Sequence, residues 1–376
     1  MRFFISAGEA SGDIHAARLI RALRELDPDS RFMFLGGDEM ERAAGVRPIV
    51  HYSRMAYMGF MSVARHLPDI MAIMGSAKKA LPVFRPDAVI LVDYPSFNLR
   101  LAAEARRLGI PVYYYISPKV WAWKKWRVKS ISRLVSHLYS ILPFEPDFFR
   151  AEGYDRVTYV GNPSVEEVDE RIAATPSRTD YFDRIGVDST KPVVALLPGS
   201  RIGEIRANLP VMLRALPEGC SAVIAAAPAV PDSLYRELGS GEIPLVVGDS
   251  VQLMRLSTVA AVTSGTATLE CALTGTPQVV CYRANGSKLS YSVMRRLLHV
   301  DFVSLPNLIV GRSIIPELLL HNCTSEWVRA ELLSLIPADS QARIDQLDGY
   351  REMRRRLGDS PAALTAARDI LAALAR

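Results

Sequence analysis

What most constrains this chain is an alternation that runs through most of its length: short, continuously apolar runs, each followed by a stretch of helical periodicity. A first series comprises "RFFISA" (Arg2 to Ala7), "RFMFLGG", "DAVILVD" (Asp87 to Asp93), "IPVYYYIS", "SHLYSIL" and "RVTYVGNP" (Arg156 to Pro163). Runs that are apolar on nearly every residue predict strands covered on both faces, hence parallel sheets with helices on either side. The series lapses after Pro163, across "ATPSRTDYFDRIGVDSTK", and resumes with "KPVVALLPGSR", "SAVIAAAP", "IPLVVGD", "VAAVTSG" and "PQVVCYR". From Thr324 onward the chain reads as helix alone. The expected fold is α/β, with two Rossmann-like doubly wound domains facing a central cleft. The expected boundaries are 1–165, 166–350, and terminal helices over 351–376 that pack back on the first domain. Ser360 is expected to cap the last helix, with Pro361 in its first turn.

Composition fits that architecture and narrows the partners. A chain of 376 residues can bury two cores, and 49% hydrophobic with 23% charged residues is globular. The net charge of +5 mildly favours anionic partners, without the clustering that nucleic acid demands. Cys220, Cys271, Cys281 and Cys323 form no CxxC pair and the histidines no HExxH, so reduced structural thiols, no metal and no cofactor are expected. No apolar run reaches the roughly 18 to 20 residues of a membrane span. The N-terminus meets a glycine and a carboxylate too soon for a signal peptide, which makes the expected location cytoplasmic.

In doubly wound sheets, ligands bind beyond the carboxyl ends of the strands, so the loops that follow strands carry the chemistry. "SAGEASGD" (Ser6 to Asp13) lacks the GxGxxG and GxxxxGK[ST] spacings, and its carboxylates would repel a phosphate. The carboxylates Glu9 and Asp13 suit hydroxyl recognition or proton transfer, with Ser11 beside them in the same cleft-facing loop. Asp13 equally reads as the N-cap of a helix beginning at Ile14, and Glu9 as a solvated loop charge. "LVDYPSFNLRLA" sets Asp93 at a strand exit, ahead of a helix starting near Phe97. Partial burial there raises a carboxyl pKa and makes a general base, unless Asp93 only ties down its loop.

Two loops in the second half suit an anion. "LLPGSRIGEI" offers Gly199, Ser200 and the planar fork of Arg201 ahead of a helix. "TSGTATLECALTG" puts Ser264, Gly265 and Thr266 at a helix N-terminus, open to a diphosphate, with Glu270 one turn in for a pair of ribose hydroxyls. Either loop alone also reads as an ordinary capped helix. Asn307, in "FVSLPNLIVGR", reads by itself as a turn residue. "WAWKKWRVK" (Trp121 to Lys129) gathers three of the four tryptophans among four cations, which suits a lipid headgroup zone or a phosphorylated amphiphile. It equally suits a basic helix whose tryptophans reach the core.

Taken in order, "AGEASGD", "YMGF", "VDYPSFN", "ISPKVWAWKKWRV", "LPFE", "LLPGSRIGEI", "SGTATLE", "VSLPNLIVGR" and "PELL" resemble the lipid-A-disaccharide synthase family, glycosyltransferases of the GT-B type, across essentially the whole chain. The resemblance implies inverting transfer of 2,3-diacylglucosamine from UDP to 2,3-diacylglucosamine 1-phosphate, giving a β-1,6-linked disaccharide and UDP in lipid A biosynthesis. It implies a UDP-diacylglucosamine donor held mainly by the second domain, and an acylated sugar-phosphate acceptor held mainly by the first. It also implies peripheral association with the cytoplasmic face of the inner membrane, and it leaves room for a homodimer. The family's important acidic, arginine and asparagine positions fall on Glu9, Asp93, Arg201 and Asn307, with Asp93 the preferred base and Glu9 the second choice. The chain departs from the family at Asn162, where histidine is frequent, at Ser62, where glutamate is common, and at Leu320, where glutamine is common. A UDP-sugar epimerase, which predicts a sugar released without an acyl acceptor, or another GT-B glycosyltransferase is the alternative reading.

Overall fold

The computed structural model describes residues 1–55, 67–123, 125–283 and 301–375. The apolar runs form two parallel sheets. The first holds β1 (Arg2–Ala7), β2 (Arg31–Gly36), β3 (Val50–His51), β4 (Ala88–Val92), β5 (Val112–Tyr115), β6 (His137–Ser140) and β7 (Val157–Tyr159), in the order β3-β2-β1-β4-β5-β6-β7. The second holds β8 (Val193–Leu197), β9 (Ser221–Ala226), β10 (Leu245–Val247), β11 (Val259–Thr263), β12 (Gln278–Tyr282) and β13 (Glu317–Leu319), in the order β10-β9-β8-β11-β12-β13.

Burial explains the central strands. Every residue of β4, β5, β8 and β11 is buried, as a strand between two helical layers must be. Apolar cores flank each sheet on both faces. Each fully buried leucine or isoleucine there contributes about 1.5–3 kcal/mol. The edge strands are short, which leaves little open ladder for another chain to pair with.

Contacts divide the chain into one unit of Met1–Pro163 with Asp359–Arg376, and a second of Ser164–Gly358. The boundary expected at 350 falls inside the helix Gln341–Leu357, which stays with the second unit because Gly349, Tyr350, Met353 and Leu357 are buried there. Gly358, at φ +63, turns the chain out of that helix. The last helix, Ala362–Leu374, then packs Ala363, Ala366, Ala367 and Ile370 into the core behind β1. Pro361, and not Ser360, occupies its N-cap position, and no side chain caps it. Ser360 instead lays its carbonyl against Gly161, where a Cβ would come within 2.1 Å of that oxygen.

Candidate active site

A doubly wound sheet opens a crevice where its strand order reverses. In the first sheet the reversal lies between β1 and β4, in the second between β8 and β11. Most of the residues singled out from sequence lie in the loops at these two points, with Arg201 and Asn307 outside the second cavity.

After β1 the chain passes Gly8 and Glu9 into the helix Ala10–Leu26. Glu9 holds the N-cap position without a side-chain capping bond, and Ser11 is exposed in the first turn. Asp13 does not start this helix. It is buried, and it accepts from the backbone N–H groups of Gly37 (2.6 Å), Glu39 (3.0 Å) and Met40 (3.3 Å). It therefore caps a different helix, Asp38–Ala44, whose orphan amides it satisfies across the sheet end. That long-range partner is why sequence misplaced Asp13: an aspartate three residues beyond a glycine-rich turn looks like a local cap.

After β4, Asp93 (φ +43) and Tyr94 (φ +47) are both left-handed, and the next helix begins at Pro95, earlier than expected. The Asp93 carbonyl accepts from Asn98 Nδ2 (2.7 Å) and from the Tyr114 hydroxyl (2.5 Å), while Ser6 Oγ donates to Asn98 Oδ1 (2.7 Å) and fixes that amide's orientation. The Tyr94 ring covers Gly8 so closely that a Cβ there would sit 2.4 Å from it, and the Tyr94 hydroxyl donates to the Met55 carbonyl (2.8 Å). Asp93 shows an open face to solvent but is crowded by protein elsewhere. That desolvation raises its carboxyl above the ordinary aspartate value, against the pull of Lys119. Burial, with the Glu9 charge adding to it, likewise raises the Tyr94 phenol, which puts Glu9 within electrostatic reach of this loop.

In the second unit a cavity of about 450 Å³ opens at the carboxyl ends of β8, β9, β10 and β11. Gly199, Ser200, Ser264, Gly265, Thr266 and Glu270 line it together. Burial and the nearby Glu167 raise the Glu270 carboxyl, and Arg171 pulls the other way. Arg201 does not line the cavity: its Nη1 pairs with Glu204 Oε1 at 3.0 Å, and Glu204 Oε2 accepts from Ser200 N–H at 3.2 Å. Asn307 is not at the cavity either. It is fully buried; its Nδ2 donates to Ile315 O (3.0 Å) and Glu317 Oε1 (2.8 Å), and its Oδ1 accepts from Ile314 N and Ile315 N. With both donors and both lone pairs engaged inside its own unit, the expected acceptor contact has no polar atom left to make it. Among the described residues, no group of three or more His, Cys, Asp or Glu could hold a metal ion.

A family model described as lipid-A-disaccharide synthetase matches residues 3–367. A lipid-A-disaccharide synthase of Myxococcus xanthus is 42% identical over 98% of this chain and 97% of its own. The chain belongs to the lipid-A-disaccharide synthase family. Two solved structures show the fold alone. A UDP-GlcNAc 2-epimerase from Neisseria meningitidis, bound to UDP-GlcNAc, superposes with a TM-score of 0.67 at 14% identity, covering all of both chains. The calicheamicin glycosyltransferase superposes at 0.63 and 14% identity, covering 100% of this chain and 99% of its own. The fold is GT-B, as the sequence led us to expect, and the family favours a glycosyltransferase over the epimerase alternative.

For a member of this family, several site residues escaped sequence reasoning. Asn98 and Tyr114 grip Asp93 by its backbone, a role that no motif spacing announces. Arg171, from the helix Pro163–Ala173, lines the cavity and donates to Gly248 O at 3.2 Å. Glu145, in "LPFE", is buried and accepts from Trp121 Nε1 at 3.0 Å, and burial pushes its carboxyl up to about 7. Of the clustered tryptophans, Trp121 packs inward against Phe144, whereas Trp126 is 65% exposed with Arg127 over its ring. The side chain of Trp123 lies outside the described residues, as do "YMGF" and Ser62. At the other two departures from the family, Asn162 is buried and donates to Ile141 O at 2.9 Å, while Leu320 is left-handed at φ +55.

Proposed function

We propose that this protein transfers a diacylglucosamine unit from UDP to an acylated glucosamine 1-phosphate and so makes the disaccharide of lipid A. Family membership over nearly the whole chain carries the reading, and the two crevices give it a chemistry. Asp93, with its raised carboxyl, takes the proton from the acceptor's 6-hydroxyl as that oxygen attacks the anomeric carbon. Glu9, one strand away, is the second candidate base. The bond from the anomeric carbon to the diphosphate breaks, and UDP leaves carrying the electron pair. Amides of the Gly199 and Gly265 loops and the guanidinium of Arg201 stabilise that growing charge, and Glu270 accepts from the ribose hydroxyls. In the structure Glu204 occupies the Ser200 amide and Arg201, the two groups an incoming diphosphate would claim. No metal takes part in this scheme.

Membrane contact is part of the same proposal. Trp126 and the cations Lys125 and Arg127 present an aromatic and basic surface. Among the described residues no helix is long and apolar enough to cross a membrane. A surface of this kind suits the headgroup region on the cytoplasmic face of the inner membrane.

One experiment tests both parts: incubation with UDP-diacylglucosamine and its 1-phosphate acceptor on anionic vesicles, with EDTA present, followed by mass spectrometry. A tetra-acyl disaccharide is the expected product. Its absence without EDTA sinks the transferase reading; its loss on adding EDTA sinks the metal-free scheme. A variant with Lys125 and Trp126 changed to serine should lose yield on vesicles and keep it in detergent micelles.

A further inference from the structure

Asn307 raises a question: what does a fully engaged, buried asparagine hold in place? Its partner is Glu317, the first residue of edge strand β13, which pairs in register with Val280. Glu317 is a hub of donors. Its Oε1 accepts from Asn307 Nδ2 (2.8 Å), Ser304 N–H (3.0 Å) and Ser304 Oγ (2.6 Å), and its Oε2 accepts from Val303 N–H (3.0 Å). The peptide joining Val303 to Ser304 is a rigid plane, with the Ser304 N–H on one side and the Val303 carbonyl on the other. Glu317 holds the first of these groups. The second accepts the hydroxyl proton of Ser264 at 3.1 Å, and Ser264 lines the cavity.

We infer that Glu317 is a positioning residue for the donor site: by fixing the peptide between Val303 and Ser304 it fixes the direction of the Ser264 hydroxyl. A serine hydroxyl has one proton. Once that proton is committed to the Val303 carbonyl, Ser264 offers the cavity only lone pairs, which a ligand hydroxyl can use and a phosphate oxygen cannot. Asn307 then acts at two removes, by orienting Glu317, without touching any ligand. The inference rests on the reading of this cavity as the UDP-sugar site.

The test is a double-mutant cycle on the full chain, with UDP-N-acetylglucosamine as the calorimetric probe and thermal melting as the check on folding. Glu317→Gln replaces one acceptor oxygen by a donor, so one of the held amides loses its partner and the peptide turns. The dissociation constant of that variant should rise about fivefold, the scale of one neutral hydrogen bond. Ser264→Ala should raise it by a similar factor, and the double variant should be no weaker than the weaker single variant, because both act through one hydroxyl. Independent, multiplying losses would overturn the inference, as would wild-type affinity in Glu317→Gln. Where Glu317→Gln fails to fold, Ser304→Ala replaces it in the cycle, with a smaller loss and the same non-additivity with Ser264→Ala. Failure of the wild-type chain to bind the probe would overturn the donor-site reading and this inference with it; binding by wild type with an additive cycle would overturn this inference alone.

Discussion

The two crevices place their positive-φ backbone on opposite kinds of residue. At the first crevice, in the loops after β4 and β5, left-handed backbone falls on side-chain-bearing residues: Asp93, Tyr94 and Ile116 at φ +65. At the second, in the loops after β8, β10 and β11 that line the cavity, it falls on glycines: Gly199 at φ +117, Gly248 at +84 and Gly265 at +155. A non-glycine residue held there costs on the order of 1–3 kcal/mol and persists only where neighbours enforce it. The enforcers are present in Asn98 and Tyr114 on the Asp93 carbonyl, and in the hold of Met55 on the Tyr94 hydroxyl. On the proposed mechanism the difference follows from what each loop must present. Proton transfer needs a particular side chain at a particular place, so the first unit tolerates strain; a diphosphate needs bare amides, so the second gives up side chains.

The largest expected effect breaks the first half of that comparison. Asp93→Asn keeps the loop's shape and removes the base, and should lower kcat by about 100- to 10,000-fold, the usual worth of a general base. UDP affinity should not change. Because crowding raises the Asp93 carboxyl, wild-type activity should fall as pH drops through a value above the ordinary aspartate range, and the residual activity of the variant should lose that limb. Turnover within tenfold of wild type would shift the role to Glu9.

Glu145 extends the comparison to a buried carboxyl under the loop after β5. Burial raises it, while the neighbouring Ser117 and Trp121 pull the other way. A carboxyl raised from 4.5 to about 7 binds its proton more tightly in the folded state. The stability it lends is therefore complete below pH 4.5 and lost as pH rises through 7, by roughly 3 kcal/mol. Glu145→Gln keeps an acceptor for Trp121 and does not titrate. Denaturation midpoints should show the variant gaining on wild type between pH 5 and pH 8. An equal difference at both values would mean the carboxyl is not raised.

How much of this was legible in the sequence depended on how local each cause was. The central strands of both sheets could be read because a fully buried parallel strand is apolar at nearly every position. Strands β3 and β13, of two and three residues, carry too few side chains to make a pattern. Ser264, Gly265 and Thr266 were legible as a strand-to-helix loop, and they share one cavity with Gly199 and Ser200. Asp13 and Asn307 were misjudged for one reason. Each spends its hydrogen bonds on backbone or side chains that the sequence does not identify: Gly37 to Met40 for the first, Ile314 to Glu317 for the second. Polar residues look alike in sequence whether their partner is a ligand or a remote amide.

The smallest expected effect sharpens the second half of the comparison, by separating two reasons for glycine. At Gly199 a Cβ would sit 2.8 Å from both Cβ and Oε2 of Glu204, and φ +117 is closed to side chains. Gly199→Ala must therefore turn the loop and move Glu204, which holds the Ser200 amide and Arg201. UDP affinity should fall about tenfold, or about 1.4 kcal/mol, and the melting temperature should drop by a few degrees from the strain. At Gly265 nothing lies within 4 Å of the place a Cβ would take, so only the backbone angle resists substitution. Gly265→Ala should then weaken UDP by a smaller factor, about threefold, through partial relaxation of the loop. Calorimetric titration of UDP into both variants decides the matter. If Gly265→Ala proves the more damaging, close approach of the diphosphate to that amide, and not backbone angle, is what excludes a side chain, and the Gly265 loop becomes the principal phosphate contact.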